Sequence, residues 1–205
     1  MNKIKLFESL PIEKQNRILD AASEVFAKYG YYQAPTDLIS QSAGISKGSL
    51  FYYFTSKKQL FLYLLDYAIT EMMSNIDVRP QGDHLEVFDY ITYVTKQKLV
   101  FFQKRPYLVE FIMKAYSEEP SLLQESKQMP ILAQYEKEGS AILQQVDYST
   151  LNENITPSEL MTWLSMISFG YMRLYLYRKP GAEVAHLNEQ LLKLFTQMKE
   201  KFKRG

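Results

Sequence analysis

From Pro11 to Tyr29 the apolar residues Ile18, Ala22, Val25, Phe26 and Tyr29 recur at helical spacing, with polar residues between them. The pattern predicts one amphipathic helix, and Gly30 supplies its stop. Thr36 then reads as the N-cap of a short helix, Asp37 to Ala43, with Asp37 at the positive end of its dipole. Gly44 ends that helix, Ile45 lies in the turn, and Ser46 caps a second short helix from Lys47 to Tyr53. Ser56 and Gln59 form a capping box that opens a longer helix through Phe61, Leu64, Leu65, Ala68, Ile69 and Met72. A loop is expected from Asp77 to Asp83. Helices follow at 84–104 and 106–117, with one or two pieces between 121 and 147 that Pro130 or Gly139 breaks. Thr156-Pro157-Ser158-Glu159 combines a cap, a first-turn proline and a capping-box glutamate, and opens a helix to about Arg178. Pro180-Gly181 turns the chain into a last helix, 182–203. No strand-like alternation interrupts the series, so the expected fold class is all-α.

Composition narrows the chemistry. The 205 residues are 46% hydrophobic with a net charge of +1, ordinary for one or two globular domains. Charge is uneven: residues 1–60 hold eight Lys/Arg against five acids, and the remainder holds 16 against 18. A mildly basic head on a mildly acidic body is compatible with a footprint for phosphate. There is no cysteine, which excludes disulfides, thiolate metal sites and cysteine nucleophiles and fits a cytoplasmic location. Leu160 to Tyr177 is mostly apolar, but it carries Thr162, Ser165, Ser168 and Arg173 and starts behind a helix cap, so a buried helix is expected and no membrane span. His84 and His186 stand alone, without the spacing of a metal site. No phosphate loop or nucleophile–base set is recognisable. The expectation is therefore no metal, no cofactor and no catalytic residue.

The two short helices joined by a glycine turn make a helix-turn-helix. In that motif the second helix enters the major groove and its first turn reaches base edges. The residues Ser46-Lys47-Gly48-Ser49 suit such a turn. Gly48 permits close backbone approach, Lys47 offers charge to a phosphate or guanine, and Ser49 donates or accepts. Leu50, Phe54, Ile39 and Ile45 are assigned inward, Tyr52 and Tyr53 outward toward phosphate, and Phe51 to either role. The helix starts at Thr36, Ser46 and Ser56 present free N–H groups to phosphate, flanked by Lys57 and Lys58.

With these residues in place, a family resemblance follows. Phe26, Gly30, Thr36, Ile39, the run Ala43 to Phe54, then Ser56, Lys57 and Leu60 resemble the N-terminal DNA-binding domain of the TetR/AcrR family of bacterial transcriptional regulators. The match covers roughly residues 12–65, and Phe51 departs from the tyrosine usual in the family. The resemblance implies a homodimer on twofold-symmetric operator DNA and release when a small-molecule effector binds the C-terminal domain. The expected organisation is a three-helix DNA-binding domain at 1–55 and a helical effector-binding and dimerisation domain at 56–205, with the helix from Ser56 connecting the two.

In the second domain, aromatic and Met side chains either pack a helical core or line an apolar cavity. Tyr67, Phe102, Phe111 and Trp163 are the candidates for an apolar or amphipathic effector. The two last helices are expected to form a dimeric four-helix interface with contacts from Phe169, Tyr171 and Phe195. A repressor is the first reading. An activator or ligand-independent DNA-binding protein on the same scaffold is the alternative, followed by an all-α lipid carrier or enzyme.

Overall fold

Helix formation follows the punctuation in the sequence. A computed structural model describes residues 3–79, 86–127, 129–177 and 182–203. Its helices are α1 (Lys3–Glu8), α2 (Ile12–Gln33), α3 (Thr36–Ser42), α4 (Lys47–Tyr53), α5 (Lys57–Asn75), α6 (Val87–Lys104), α7 (Pro106–Glu118), α8 (Pro120–Gln124), α9 (Met129–Leu143), α10 (Pro157–Tyr177) and α11 (Ala182–Phe202). Among the described residues extended pairing is confined to two isolated bridges, Glu86 with Asp147 and Leu151 with Lys203, and the fold is all-α.

The structure departs from the expected helices in three places. Helix α1 is absent from the sequence reading, yet its Phe7 is fully buried. Thr36 is not a cap: α3 begins at Thr36 itself, Pro35 holds the cap position, and no side chain bonds to the helix start. Gly30 interrupts α2 as its sequence position predicts. The helix resumes for one short turn beyond it, and Gly30 alone leaves helical geometry at φ +69°. Gly139 is carried inside α9, and Pro130 sits in its first turn, where a proline has no intrahelical N–H to forfeit. The Pro180-Gly181 turn and His84 lie outside the described residues.

The chain forms two compact units, Met1–Ser74 with Arg105–Ala133, and Asn75–Lys104 with Gln134–Gly205. In the first, Phe26 of α2, Phe61 of α5 and Phe111 of α7 meet with ring centroids 5.0–5.9 Å apart. All three are essentially inaccessible to water. Lys114 of α7 reaches back to α2, where its Nζ donates to the carbonyls of Ala27 and Lys28 at 3.1 and 3.3 Å. Those carbonyls lie just before the break at Gly30, so the lysine serves α2 as a C-terminal cap supplied from another helix. A Cβ at Gly30 would lie 3.0 Å from Glu118 Oε2, and its φ disfavours any L side chain. Asp66 of α5 accepts from Ser126 Oγ at 2.6 Å and the Lys127 N–H at 2.9 Å, which ties the segment after α8 to α5.

In the second unit α6 and α11 pack together. Lys199 pairs with Glu86 at 3.1 Å and with Asp89. Phe202 of α11 lies against Trp163 and Phe88, with centroids 5.4 and 6.5 Å away. The Thr156–Glu159 capping box is complete. Glu159 Oε2 accepts the Thr156 N–H at 2.9 Å, and Thr156 Oγ1 accepts the Glu159 N–H at 3.2 Å. Holding the ionised form in this way keeps the Glu159 carboxyl below its ordinary range. Between α10 and α11 the buried Tyr171 hydroxyl donates to Asn188 Oδ1.

Candidate nucleic-acid interface

The turn between α3 and α4 depends on Gly44, whose φ of +65° a β-carbon would oppose. Its N–H donates to the Gln41 carbonyl at 3.1 Å, and the Ile45 N–H donates to that of Ser40 at 3.0 Å. These bonds satisfy two of the carbonyls that end α3. Ser46 then caps α4: its Oγ accepts the Ser49 N–H at 3.0 Å and lies 2.9 Å from Ser49 Oγ. Ile39, Leu50 and Phe54 are buried, as their spacing requires, and Ile45 is half-buried. That leaves Lys47, Gly48 and Tyr52 exposed at the surface, with Ser49 and Phe51 half-exposed beside them.

Each expected contact residue has a definite environment. Lys47 Nζ lies 2.8 and 3.1 Å from the two carboxylate oxygens of Asp37, near the start of α3. Lys57 Nζ donates to the Tyr32 carbonyl at 2.9 Å and stands 5.3 Å from the Tyr31 ring centroid. Its partial burial lowers its pKa. Lys58 pairs with Glu125 at 2.8 Å, and the bond to that carboxylate raises the lysine's pKa. Ser56 Oγ accepts the Gln59 N–H at 3.1 Å. Gln59 returns its Oε1 to the Thr55 N–H at 2.7 Å, one residue earlier than the expected box. Thr36 is half-exposed. Tyr52 is 56% exposed.

Tyr53 departs from its assignment. It does not project freely: it is half-buried, and its ring meets Phe7 of α1 edge-on at 6.1 Å. Lys14 of α2 stands 5.9 Å from the same ring. The cause is α1, which packs on α4 through Phe7, Tyr53 and Phe54. Its signal was the Ile4–Phe7 spacing ahead of Pro11, too short to stand out as a helix. Tyr63 of α5 completes this cluster, 5.3 Å from Phe7, and burial together with Glu8 pushes its phenol up to about 12. Asp37, expected only to favour the helix dipole, is also the ion-pair partner of Lys47.

The four effector candidates divide between the units. Tyr67 and Phe111 belong to the first, Phe102 and Trp163 to the second. Tyr67 is half-buried and accepts from Arg105 Nη2 at 2.6 Å, and burial raises its pKa. Phe111 is packed within the Phe26–Phe61 cluster. Phe102 is buried on α6, and Trp163 on α10 is 36% exposed. Within the second unit α10 and α11 frame a groove of about 550 Å³, lined by Ile167, Tyr171, Leu174, Leu187, Leu191 and Leu194 and by the polar Gln190, Lys193 and Gln197 of α11. Met166 and Phe169 of α10 stand 66% and 67% exposed, whereas Tyr171 and Phe195, expected at the same surface, are buried within the protomer.

Among the described residues no cluster of His, Cys, Asp or Glu could hold a metal ion. His186 is a surface residue whose Nε2 lies 3.0 Å from Gln190 Nε2, one helical turn on. No helix among the described residues is long and apolar enough to cross a membrane.

Residues 18–64, which contain this surface, match the profile of the bacterial regulatory proteins of the tetR family. The transcriptional activator FasR of Mycolicibacterium smegmatis is 39% identical over 64 residues, 31% of this chain and 29% of FasR. The first three curated relatives are matched over only 25–36% of their own length. Solved structures extend the likeness in fold. A TetR family regulator from Chloroflexus aurantiacus superposes with a TM-score of 0.66 at 20% identity, covering 98% of both chains. The regulator FadR of Bacillus subtilis, in complex with stearoyl-CoA, gives 0.63 at 17% identity over 88% of this chain and 96% of FadR. Residues 18–64 thus resemble the tetR family of bacterial regulatory proteins in sequence, and the chain as a whole shares the fold of the TetR family structures.

Proposed function

We propose that the chain is a ligand-responsive transcriptional regulator, a repressor that a small apolar or amphipathic effector releases from operator DNA. The observation that carries this reading is α4: a seven-residue helix, capped by Ser46, that turns Lys47, Gly48, Ser49 and Tyr52 to solvent while Leu50 and Phe54 anchor it. Such a helix is short enough to be held entirely by its neighbours and exposes the residue types that read a major groove. Lys47 and Ser49 are assigned to bases. Thr36, Ser46, Gly48, Tyr52, Lys57 and Lys58 are assigned to the backbone, with Tyr53 contributing through its hydroxyl edge. The functional division is a DNA-binding domain at 1–55 and an effector and dimerisation domain at 56–205, in the cytoplasm and without catalytic activity. FasR, a relative over the DNA-binding segment alone, is an activator, so an activator is the second reading. The operator's position relative to the promoter decides between them.

Assembly rests on the exposed apolar side chains of α10 and α11. Met166, Phe169, Leu174 and Leu194 are each 38–67% exposed in the protomer, and a second copy of the same helices would cover them in a four-helix packing. For the effector, FadR with stearoyl-CoA is the supporting analogy. Phe102 and Trp163, both in the second unit, remain the proposed contacts, while Phe111 is closed within the Phe26–Phe61 cluster and Tyr67 is bonded to Arg105. The effector need only favour a spacing of the two recognition helices other than the roughly 34–36 Å of one DNA turn.

Three outcomes test the proposal. Lys47→Ala or Ser49→Ala changes base preference, whereas Lys57→Ala weakens all duplexes alike and reduces the salt slope by about 0.9. Titrations at several salt concentrations on selected and scrambled duplexes measure both. No change in affinity or preference for Lys47→Ala removes α4 as the reading element. Phe169→Glu, at an exposed position, yields folded monomers in sedimentation; a variant dimer as tight as wild type refutes the four-helix packing. Effector binding, followed by the fluorescence of Trp163, weakens DNA binding by about 5–150-fold, and DNA weakens effector binding by the same factor. A tight ligand without that reciprocity is not an inducer.

A further inference from the structure

The carboxylate of Asp37 stands on the surface assigned to DNA, where its charge opposes a polyanion. Its side chain is 71% exposed and that of its partner Lys47 is 56% exposed. An ion pair so exposed contributes little to stability: the first turn of α3 accounts for a carboxylate at Asp37, but not for the lysine held against it. For phosphate binding the pair is counterproductive. A lysine already neutralised by a carboxylate at 2.8 Å adds little to counterion release on binding. The pairing makes sense if Lys47 is directed at bases. Both carboxylate oxygens lie within 3.1 Å of Nζ, so the two charges are presented side by side at the mouth of the helix-turn-helix.

We propose that Asp37 and Lys47 act as one reading unit for a G·C base pair, which makes Asp37 a specificity-determining residue. In the major groove guanine offers two adjacent acceptors, O6 and N7, and cytosine offers the N4 amino group as donor. An ammonium and a carboxylate in contact complement that order: Lys47 donates to guanine and Asp37 accepts from cytosine N4. An A·T pair also sets an acceptor beside a donor, N7 and N6 of adenine, but it gives the ammonium one acceptor there where guanine gives two. A carboxylate reaching N6 would meet lone pairs on both sides, at N7 and O4, whereas cytosine N4 has an acceptor, guanine O6, on one side only. Asp37 comes from the first turn of α3 and Lys47 from the start of α4, so the specificity is divided between the two helices of the motif. The nearest polar neighbours on α4, Ser46 and Ser49, are bonded to each other and leave Lys47 to Asp37.

The inference rests on the proposed DNA-binding function, and one experiment separates the two. Duplexes retained by the wild-type protein from a randomised library are sequenced. Each base pair of the preferred half-site is then substituted and titrated against wild type, Asp37→Ala, Asp37→Asn and Lys47→Ala. The wild type is expected to lose about 5–150-fold at one G·C pair in each half-site. Asp37→Ala flattens the preference for cytosine at that pair alone. Asp37→Asn moves it toward adenine, which an amide can pair bidentately. Lys47→Ala acts at the same pair. If Asp37→Ala tightens every duplex equally and keeps each base preference, Asp37 is only a repelling charge and the reading unit is refuted, while DNA binding stands. If the wild type retains no preferred duplex, the function and the inference fail together.

Discussion

Two helices of seven residues cannot hold themselves in water, because nucleation costs more than so few hydrogen bonds return. The helix-turn-helix therefore depends on the aromatic contact behind it, where Phe26, Phe61 and Phe111 join α2, α5 and α7. Edge-to-face rings buried from water combine apolar burial with a preferred geometry, so they fix orientation as well as proximity. Lys114 extends the same contact by capping the carbonyls of α2 before Gly30. Beyond that break the chain runs through Tyr31 and Tyr32, and Lys57 holds the Tyr32 carbonyl. α3 itself packs on α2 and α4, so these side chains from α5 and α7 act on it through α2.

The surface that this scaffold presents is already paired within the protein. Lys47 is held by Asp37, Lys58 by Glu125 and Lys57 by a backbone carbonyl. On the proposed function, a phosphate would compete with the carboxylates for Lys47 and Lys58, so those two contacts would yield less than an isolated lysine would. Exposed pairs of this kind are weak and salt-screened, which leaves the exchange possible. On the proposed function, the consequence would be a site whose non-specific attraction for DNA is restrained, so that the base sequence weighs more in the total affinity.

What the sequence made legible was chemistry confined to a few neighbouring residues. Ser46, Ser56 and Thr156 cap as expected, and Gly44 turns the chain, because each acts on atoms within one helical turn. Thr36 failed as a cap for an equally local reason, since the preceding Pro35 took that position. Less legible was everything decided at a distance. Tyr53 was assigned outward on helical geometry alone, and Phe7 of an unanticipated helix covers it. Asp37 and Lys47 are ten residues apart, on helices whose crossing no periodicity encodes. Phe169, Tyr171 and Phe195 looked alike as apolar residues of the last two helices. Packing buries Tyr171 and Phe195 and leaves Phe169 exposed. Phe111 was equally at home in a core or a cavity on sequence grounds, and its place among Phe26 and Phe61 is a matter of tertiary contact.

The central claim is that this chain reads duplex DNA with two symmetric copies of α4. Nuclease footprinting on fragments that the purified protein retains from bacterial genomic DNA tests it most directly. The account predicts protection over an inverted repeat whose half-site centres lie about 10–10.5 base pairs apart, or a multiple of that. Retention without any recurring sequence, or protection of a single unrepeated site, would contradict it.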